Sequence, residues 1–306
     1  MPTHRVSYLG PSGTFTEEAL RRSFGDRVEP VAYPTIEDVL EAVDHGDVDL
    51  AFSPIENALE GAVLATLDAL VHRFDLLAVA EAILPVHHQL LGIVGSSLDR
   101  ITRVLSHPQA LSQSRGFLRT RLPGATRVAV ASTAEAARTV AEAKDPTTAA
   151  IGTMTAAHLW HLDVLASDIE DDPRNETRFW LLAKGRLPEP TGSDRTALAC
   201  FQVTDRPGSL LALLSVFAAR GINLTKLESR PTRTSLGAYL FVIELEGHVT
   251  DPAVASALDD LAASGVRAKL LGSFASARPR HREEAAPSPP PVPLDPSLPR
   301  SLHSPD

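Results

Sequence analysis

From Arg5 to Trp160, short apolar runs alternate with stretches whose apolar residues recur at helical spacing. That alternation constrains the fold more than any other feature. A strand–helix–strand repeat leads to a largely parallel sheet with helices on both faces. Arg5–Leu9 reads as a strand that runs into Gly10-Pro11-Ser12-Gly13-Thr14-Phe15-Thr16, a turn-rich loop before a helix at Glu17. Ile36, Val39, Leu40 and Val43 mark a helix capped by Thr35 and stopped at Gly46. Asp49–Ser53 reads as a strand meeting Pro54-Ile55-Glu56-Asn57, and Leu59, Val63, Leu67 and Leu70 mark the next helix. Leu76–Ile83 and His88–Val94 read as strands. A strand ending at His107 precedes a helix with Pro108 at its first position. Val128–Ala131 is followed by Ser132-Thr133-Ala134-Glu135, a capping box, and Ala149–Gly152 by a helix over Met154–Trp160.

In folds of this kind ligands bind at the carboxyl ends of strands, near helix N-termini. The loops at Ser12–Thr14, Glu56–Asn57, Ser106–Gln109 and Ser132–Thr133 all occupy that position and predict one crevice rich in hydrogen-bond donors. Each also has a purely structural reading. Ser12, Thr14 or Thr16 could cap the first helix, Asn57 could be an N-cap, and Glu56 could complement a helix dipole. Asn175-Glu176-Thr177-Arg178-Phe179 follows an acidic loop and opens the apolar run Phe179–Ala183. Polar side chains therefore sit where a loop enters a core strand, a place from which a scaffold can aim them at a ligand. Arg178 either serves that ligand or pairs with Asp171 or Asp172.

A Pro/Gly-rich stretch, 185–194, reads as a linker between residues 4–184 and a second unit over 195–275. The second unit carries strand, helix, strand, strand, helix and strand patterns, a ferredoxin-like βαββαβ order. Residues 278–306 hold nine prolines in 29 positions and almost no large apolar side chains, so they are expected to be a disordered tail. The formal net charge of -9 argues against a nucleic-acid partner. The single cysteine, Cys200, excludes an intrachain disulfide and sits in an apolar strand, where an inert thiol is expected. His87 and His88 face opposite sides of an extended strand and make a poor metal pair. His158 and His161 lack further ligands at zinc spacing. No apolar run reaches the roughly 20 residues a membrane span needs, and a cytoplasmic protein is expected.

Five ordered motifs resemble those of the prephenate dehydratase family: Gly10–Phe15, Pro54–Asn57, Ser106–Leu111, Ser132–Ala137 and Asn175-x-Thr177-Arg178-Phe179. In the second unit, Gly208-Ser209-Leu210 and Glu228-Ser229-Arg230-Pro231 resemble the motifs of the family's regulatory ACT domain, with Ser209 in place of the usual Ala. Ala58 likewise stands where Ser is common. The resemblance implies an α/β fold, a two-lobed catalytic domain like a type II periplasmic binding protein, followed by the ACT domain. With no chorismate mutase segment ahead of the catalytic part, it implies the monofunctional form. It implies decarboxylation and dehydration of prephenate to phenylpyruvate without metal or organic cofactor, L-phenylalanine as feedback effector, and a homodimer or dimer of dimers. Thr177 would assist departure of the ring hydroxyl, by positioning or relaying a proton because a threonine is a weak acid. Glu56, Asn57 and Gln109 would orient the reacting groups. Ser12, Gly13, Thr14, Ser106, Ser132, Thr133, Asn175, Arg178 and Phe179 would bind substrate. Gly208, Ser209, Leu210, Glu228, Ser229, Arg230 and Pro231 would bind the effector. An arogenate dehydratase and a non-catalytic amino-acid sensor are the alternatives, separated from this reading by relative kcat/KM and by turnover.

Overall fold

Two sheets take up the alternating pattern. The computed structural model describes residues 4–185, 187–201, 206–233 and 238–278, so the expected tail lies outside the described residues except for Arg278. The first lobe holds β1 (His4–Leu9), α1 (Phe15–Phe24), β2 (Val28–Tyr33), α2 (Ile36–His45), β3 (Leu50–Asn57), β4 (Gly61–Ala62), α3 (Leu64–His72) and β5 (Leu76–Pro85). The second holds β6 (Gln89–Gly92), β7 (Arg103–Ser106), α4 (Pro108–Gln113), α5 (Arg115–Arg121), β8 (Thr126–Ala129), α6 (Thr133–Ala143), β9 (Thr148–Gly152), α7 (Met154–Trp160) and β10 (Asp163–Ala166). The chain then returns to the first lobe as β11 (Glu176–Lys184).

The strand orders are β2-β1-β3-β11-β5 and β8-β7-β9-β6-β10. In each lobe the strand arriving from the other lobe is inserted antiparallel: β11 between β3 and β5, and β6 beside β9. This is the expected two-lobed, binding-protein-like arrangement. Its two crossovers, residues 86–88 and 167–175, lie side by side at the mouth between the lobes. Among the described residues no helix is long and apolar enough to cross a membrane.

Besides the two-residue β4, two strands escaped the sequence pattern. Both β2, which contains Pro30, and β10 lie at sheet edges, where a missing N–H or a half-exposed strand is tolerated. The helix expected from Leu59 begins only at Leu64, because β3 runs on through Glu56 and Asn57 and turns back as β4.

The second unit comprises β12 (Asp194–Phe201), α8 (Ser209–Ala218), β13 (Leu224–Pro231), β14 (Tyr239–Glu246), α9 (Pro252–Ala263) and β15 (Arg267–Ala275). Its antiparallel order β13-β14-β12-β15 is ferredoxin-like. Glu228–Pro231 lie within β13 rather than after it. One sheet face, with Leu198, Cys200 and Ile243, packs under α8 and α9. Burial there pushes the Cys200 thiol up to about 12, which makes it unreactive.

The other face enters the core of the first lobe. Ala197, Ala199, Val242 and Leu271 share one apolar cluster with Leu67, Leu70 and Trp180, and the Trp180 and Phe274 rings lie 5.6 Å apart. β15 also joins β5 at Gly272↔Ala78, which continues the sheet. A Cβ on Gly272 would fall 2.5 Å from the Ala78 Cβ, so the close approach requires glycine there.

Candidate active site

β3 and β11 are paired so that Asn57 faces Thr177 and Glu56 faces Arg178. Successive strand residues point to opposite faces, so one pair can enter the interlobe cleft while the other cannot. Asn57 and Thr177 enter it. The cleft has a volume of about 230 Å³. That suits a small metabolite better than a drug-sized ligand, whose pockets run to roughly 300–1,000 Å³. The first lobe lines it with Thr14, Phe15, Thr16, Pro54, Asn57, Thr177 and Phe179, and the crossovers add Val86, His88 and Asn175. His107, Gln109, Ala110, Gln113, Ala131, Ser132 and Thr133 close it from the second lobe.

The hydrogen bonds at its floor fix their own directions. Asn57 Oδ1 accepts the backbone N–H groups of Leu59 and Glu60 at 3.0 and 3.1 Å. Its Nδ2 therefore faces Asn175 Oδ1 at 2.9 Å, the Glu176 carbonyl at 3.3 Å and Thr177 Oγ1 at 2.9 Å. An N–H directed at Thr177 Oγ1 occupies a lone pair and leaves the hydroxyl hydrogen to be donated elsewhere. Asn175, almost fully buried, passes the chain on through Nδ2 to Gln113 Oε1 at 3.3 Å. Gln113 Oε1 also lies 2.9 Å from His88 Nε2, so the imidazole carries its proton on Nε2. Its Nδ1 is buried with no hydrogen-bond partner among the described residues, and the ring meets Phe15 edge-on at 5.3 Å. Burial lowers the His88 pKa and keeps it neutral.

Positive potential reaches the cleft without a full charge, since among the described residues no arginine or lysine lines it. α1 and α6 begin there with the caps Thr14 and Ser132, whose hydroxyl oxygens accept the N–H groups of Glu17 and Glu135. Glu135 completes the expected box by accepting the Ala131 N–H at 3.1 Å. The other first-turn N–H groups of both helices have no intrahelical acceptor and favour an anion.

Of the residues named from sequence, Thr14, Asn57, Gln109, Ser132, Thr133, Asn175, Thr177 and Phe179 meet in the cleft, whereas five do not line it. Ser12 bonds Tyr8 at 3.1 Å. The Gly13 N–H goes to Glu17 Oε2 at 2.7 Å, and its carbonyl accepts from Thr153 Oγ1 at 2.8 Å. Ser106, fully buried, donates to the Ile151 carbonyl. Glu56 and Arg178 lie on the opposite sheet face, bonded to each other at 3.1 Å. Arg178 does not take Asp171 or Asp172 either. Asp171 accepts the Gly116 N–H and Asp172 pairs with Arg174. Sequence reasoning missed Gln113 and His88 as members of the polar chain. Gln113 stands one helical turn after Gln109, a spacing that could have found it.

In the second unit, Gly208, Ser209 and Leu210 line an open depression with Arg206, Leu211, Leu214 and Phe241. Gly208, at φ 86°, precedes the first turn of α8. Ser229 is the register partner of Phe241, but Arg230 reaches the other way and grips Asp68 of α3 through two bonds of 2.9 and 2.8 Å.

The family model described as Prephenate dehydratase matches residues 6–186, and that described as ACT domain matches 199–263. A prephenate dehydratase of Amycolatopsis methanolica is 44% identical over 275 residues, covering 89% of each chain. A bifunctional chorismate mutase/prephenate dehydratase of Neisseria gonorrhoeae is 42% identical over 272 residues, covering 89% of this chain and 74% of its own. The crystal structure of prephenate dehydratase from Arthrobacter aurescens, in complex with L-Phe, superposes with a TM-score of 0.83 at 40% identity, covering 90% of this chain and 92% of that one.

Proposed function

Because the chain belongs to the prephenate dehydratase family, we propose that this cleft converts prephenate to phenylpyruvate and that L-phenylalanine bound at the ACT domain lowers the rate. The reaction removes the ring carboxylate as carbon dioxide and the ring hydroxyl as water, with aromatisation as the driving force. The observation that carries the reading is the Asn57 amide directed at Thr177 Oγ1. It leaves the threonine hydroxyl hydrogen free to be donated, and a departing hydroxyl needs such a donor. Asn175 and Gln113 hold Asn57 in that orientation, and the neutral His88 anchors the far end.

The substrate's carboxylates meet hydroxyls and helix N-termini rather than guanidinium groups. Thr14, Ser132, Thr133 and the first-turn amides of α1 and α6 bind the dianion. Neutral donors in a partly closed cleft stabilise the ring carboxylate less than a salt bridge would. Loss of carbon dioxide, which disperses that charge, is correspondingly favoured. Gln109, entering from the second lobe, orients the substrate when the lobes close on it.

The effector's carboxylate is assigned to the start of α8 at Gly208–Leu210, with Phe241 beneath its side chain. The outer edge of β13 is unpaired among the described residues, and a second copy lying along it would bring another Glu228–Pro231 segment to this open depression. The working form is therefore a cytoplasmic homodimer. The test is turnover. Purified protein should release phenylpyruvate from prephenate, and millimolar L-phenylalanine should slow it. Release no faster than with heat-denatured protein would overturn the enzymatic reading, and turnover indifferent to L-phenylalanine the regulatory one.

A further inference from the structure

The sheet face opposite the cleft holds an ion cluster, buried at its centre and partly exposed at Glu56 and Arg195, that neither the chemistry nor the effector depression uses. At its centre Arg178 donates to both Glu244 carboxylate oxygens, at 2.6 and 2.5 Å, and to Glu81 at 2.9 Å. Glu56 holds its Nε at 3.1 Å and forms an ion pair at 3.2 Å with Lys226. Arg195 reaches Glu81 at 3.4 Å. Three cations and three carboxylates thus balance. Burial by itself would lower the Arg178 pKa, but the bonds and charge of Glu244, then of Glu81, outweigh it and raise it.

The cluster spans two domains. Arg178, Glu56 and Glu81 belong to the catalytic lobe, whereas Glu244 and Lys226 are register partners on β14 and β13 of the ACT domain. Lys226 is two residues before Glu228, on the strand that carries the effector motif. On the catalytic side, Arg178 follows Thr177 and Glu56 precedes Asn57. The two residues that form the central cleft hydrogen bond are thus each one peptide away from the cluster. The ladder also breaks there. Arg178 faces Glu56 but Phe179 faces Pro54, so Ile55 has no opposite number. Such a bulge re-aims neighbouring side chains.

A buried, charge-assisted network resists losing one member, because the remaining charges would be left unpaired in a poor solvent for ions. Displacement of β13 and β14 therefore pulls Glu56 and Arg178 along rather than sliding past them. The 185–194 linker is a weaker candidate for such a link, since its turn is closed on itself by Asp194, which accepts the Thr191 and Gly192 N–H groups. We propose that the Arg178–Glu244 pair, with Lys226 and Glu56, couples the ACT domain to catalysis by setting the Asn57–Thr177 hydrogen bond. In this scheme Arg178 and Glu244 are positioning residues. The inference rests on the regulatory reading above.

The test uses the full chain and two readouts, L-phenylalanine binding by calorimetry and prephenate kinetics with and without saturating effector. Glu244→Gln keeps the side-chain shape, and Lys226→Met removes one charge from the ACT side, so either variant suffices if the other folds poorly. Both should bind L-phenylalanine within about threefold of wild type and keep basal kcat within about threefold. Inhibition, typically about 5–150-fold where sites are coupled, should fall below about twofold. Lys226→Arg should restore it. Variants inhibited as strongly as a regulated wild type would overturn this inference alone, and so would variants that lose effector binding. A wild type that neither binds nor responds to L-phenylalanine would overturn the regulatory reading as well.

Discussion

Toward the second lobe the first presents polar groups: the Gly13 carbonyl, which accepts from Thr153, Glu18, which accepts from Thr155, and the side chains that line the cleft. Toward the ACT domain it presents Trp180, Leu67 and Leu70, a strand edge at Ala78, and the buried Arg178. The second lobe fills its interior from its own residues, one apolar cluster on each face of its sheet. The ACT domain completes a cluster that begins in α2 and α3 of the first lobe. Few ordered contacts must break for the two lobes to part, whereas the ACT domain cannot leave without exposing shared apolar surface and unpaired charge. The molecule is thus built as one shared body, first lobe plus ACT domain, to which the second lobe is joined mainly by polar contacts. Substitutions at the two junctions should fail in different ways.

The largest effect is expected at the ACT junction. Arg178→Ala leaves Glu244 and Glu81 buried with one cation fewer, a change that typically costs about 3–5 kcal/mol. Urea denaturation should show the loss as a lower midpoint. An unchanged midpoint with a raised KM for prephenate would return Arg178 to the substrate. At the cleft the signs reverse. Thr177→Ala should lower kcat by about 10²-fold, roughly 2.7 kcal/mol of barrier, while the urea midpoint stays near that of wild type. A variant with full kcat would remove the hydroxyl from the mechanism.

The contrast explains what the sequence could and could not disclose. Cleft residues announce themselves, because Thr14, Asn57, Ser132 and Thr177 are polar groups at strand or helix ends, each within a recognisable motif. Junction residues do not. Glu56 and Arg178 sit in the same motifs as Asn57 and Thr177, and only the register of β3 against β11 shows that they point the other way. A strand expected to end at Ser53, four residues before β3 does, with a helix expected from Leu59, hid that register by making Glu56 a helix-start charge. The partners Glu81 and Glu244 lie 97 and 66 residues from Arg178 in the chain, and no local pattern links them. Arg230 was assigned to the effector for the same reason, since its grip on Asp68 spans 162 residues. The fold class and the βαββαβ unit were legible because periodicity is local. The shared core was not, because both faces of the ACT sheet read as apolar whatever covers them.

A smaller perturbation probes the seam alone. Gly272→Ala places a methyl group against Ala78, which something must move to accommodate. Overpacking of this kind costs about 1–3 kcal/mol. Catalysis with effector absent should persist, because no cleft residue touches the seam. Denaturant midpoints and basal kcat measured together check this, and an unaltered midpoint would mean that the strands part there without penalty.

The finest distinction between the junctions is their position on the pH axis. At the ACT junction the burial of Glu56 and of Asp68 would raise both pKa values, but Arg178 and Lys226 beside the first, and Arg230 and Arg233 beside the second, lower them. A carboxylate whose folded pKa is depressed adds stability above its unfolded pKa of about 4, and that contribution fades as pH falls through the lower folded value. Both groups keep some exposure, so salt screens the effect and its size is modest. His88 at the cleft is also depressed, by burial, but its unfolded reference is about 6.5. Below that pH the unfolded chain takes up a proton that the folded cleft refuses, and stability declines well before the carboxylates titrate. Melting temperatures from pH 8 to 3 should therefore show two separate declines, one beginning below about 6.5 and one below about 4. His72, at the end of α3, is depressed by burial in the same way, so His88→Gln should shrink the first decline and leave the second, and Asp68→Asn should shrink only the second. A first decline of unchanged size in His88→Gln would show that the cleft histidine does not resist protonation in the fold and that His72 carries the effect.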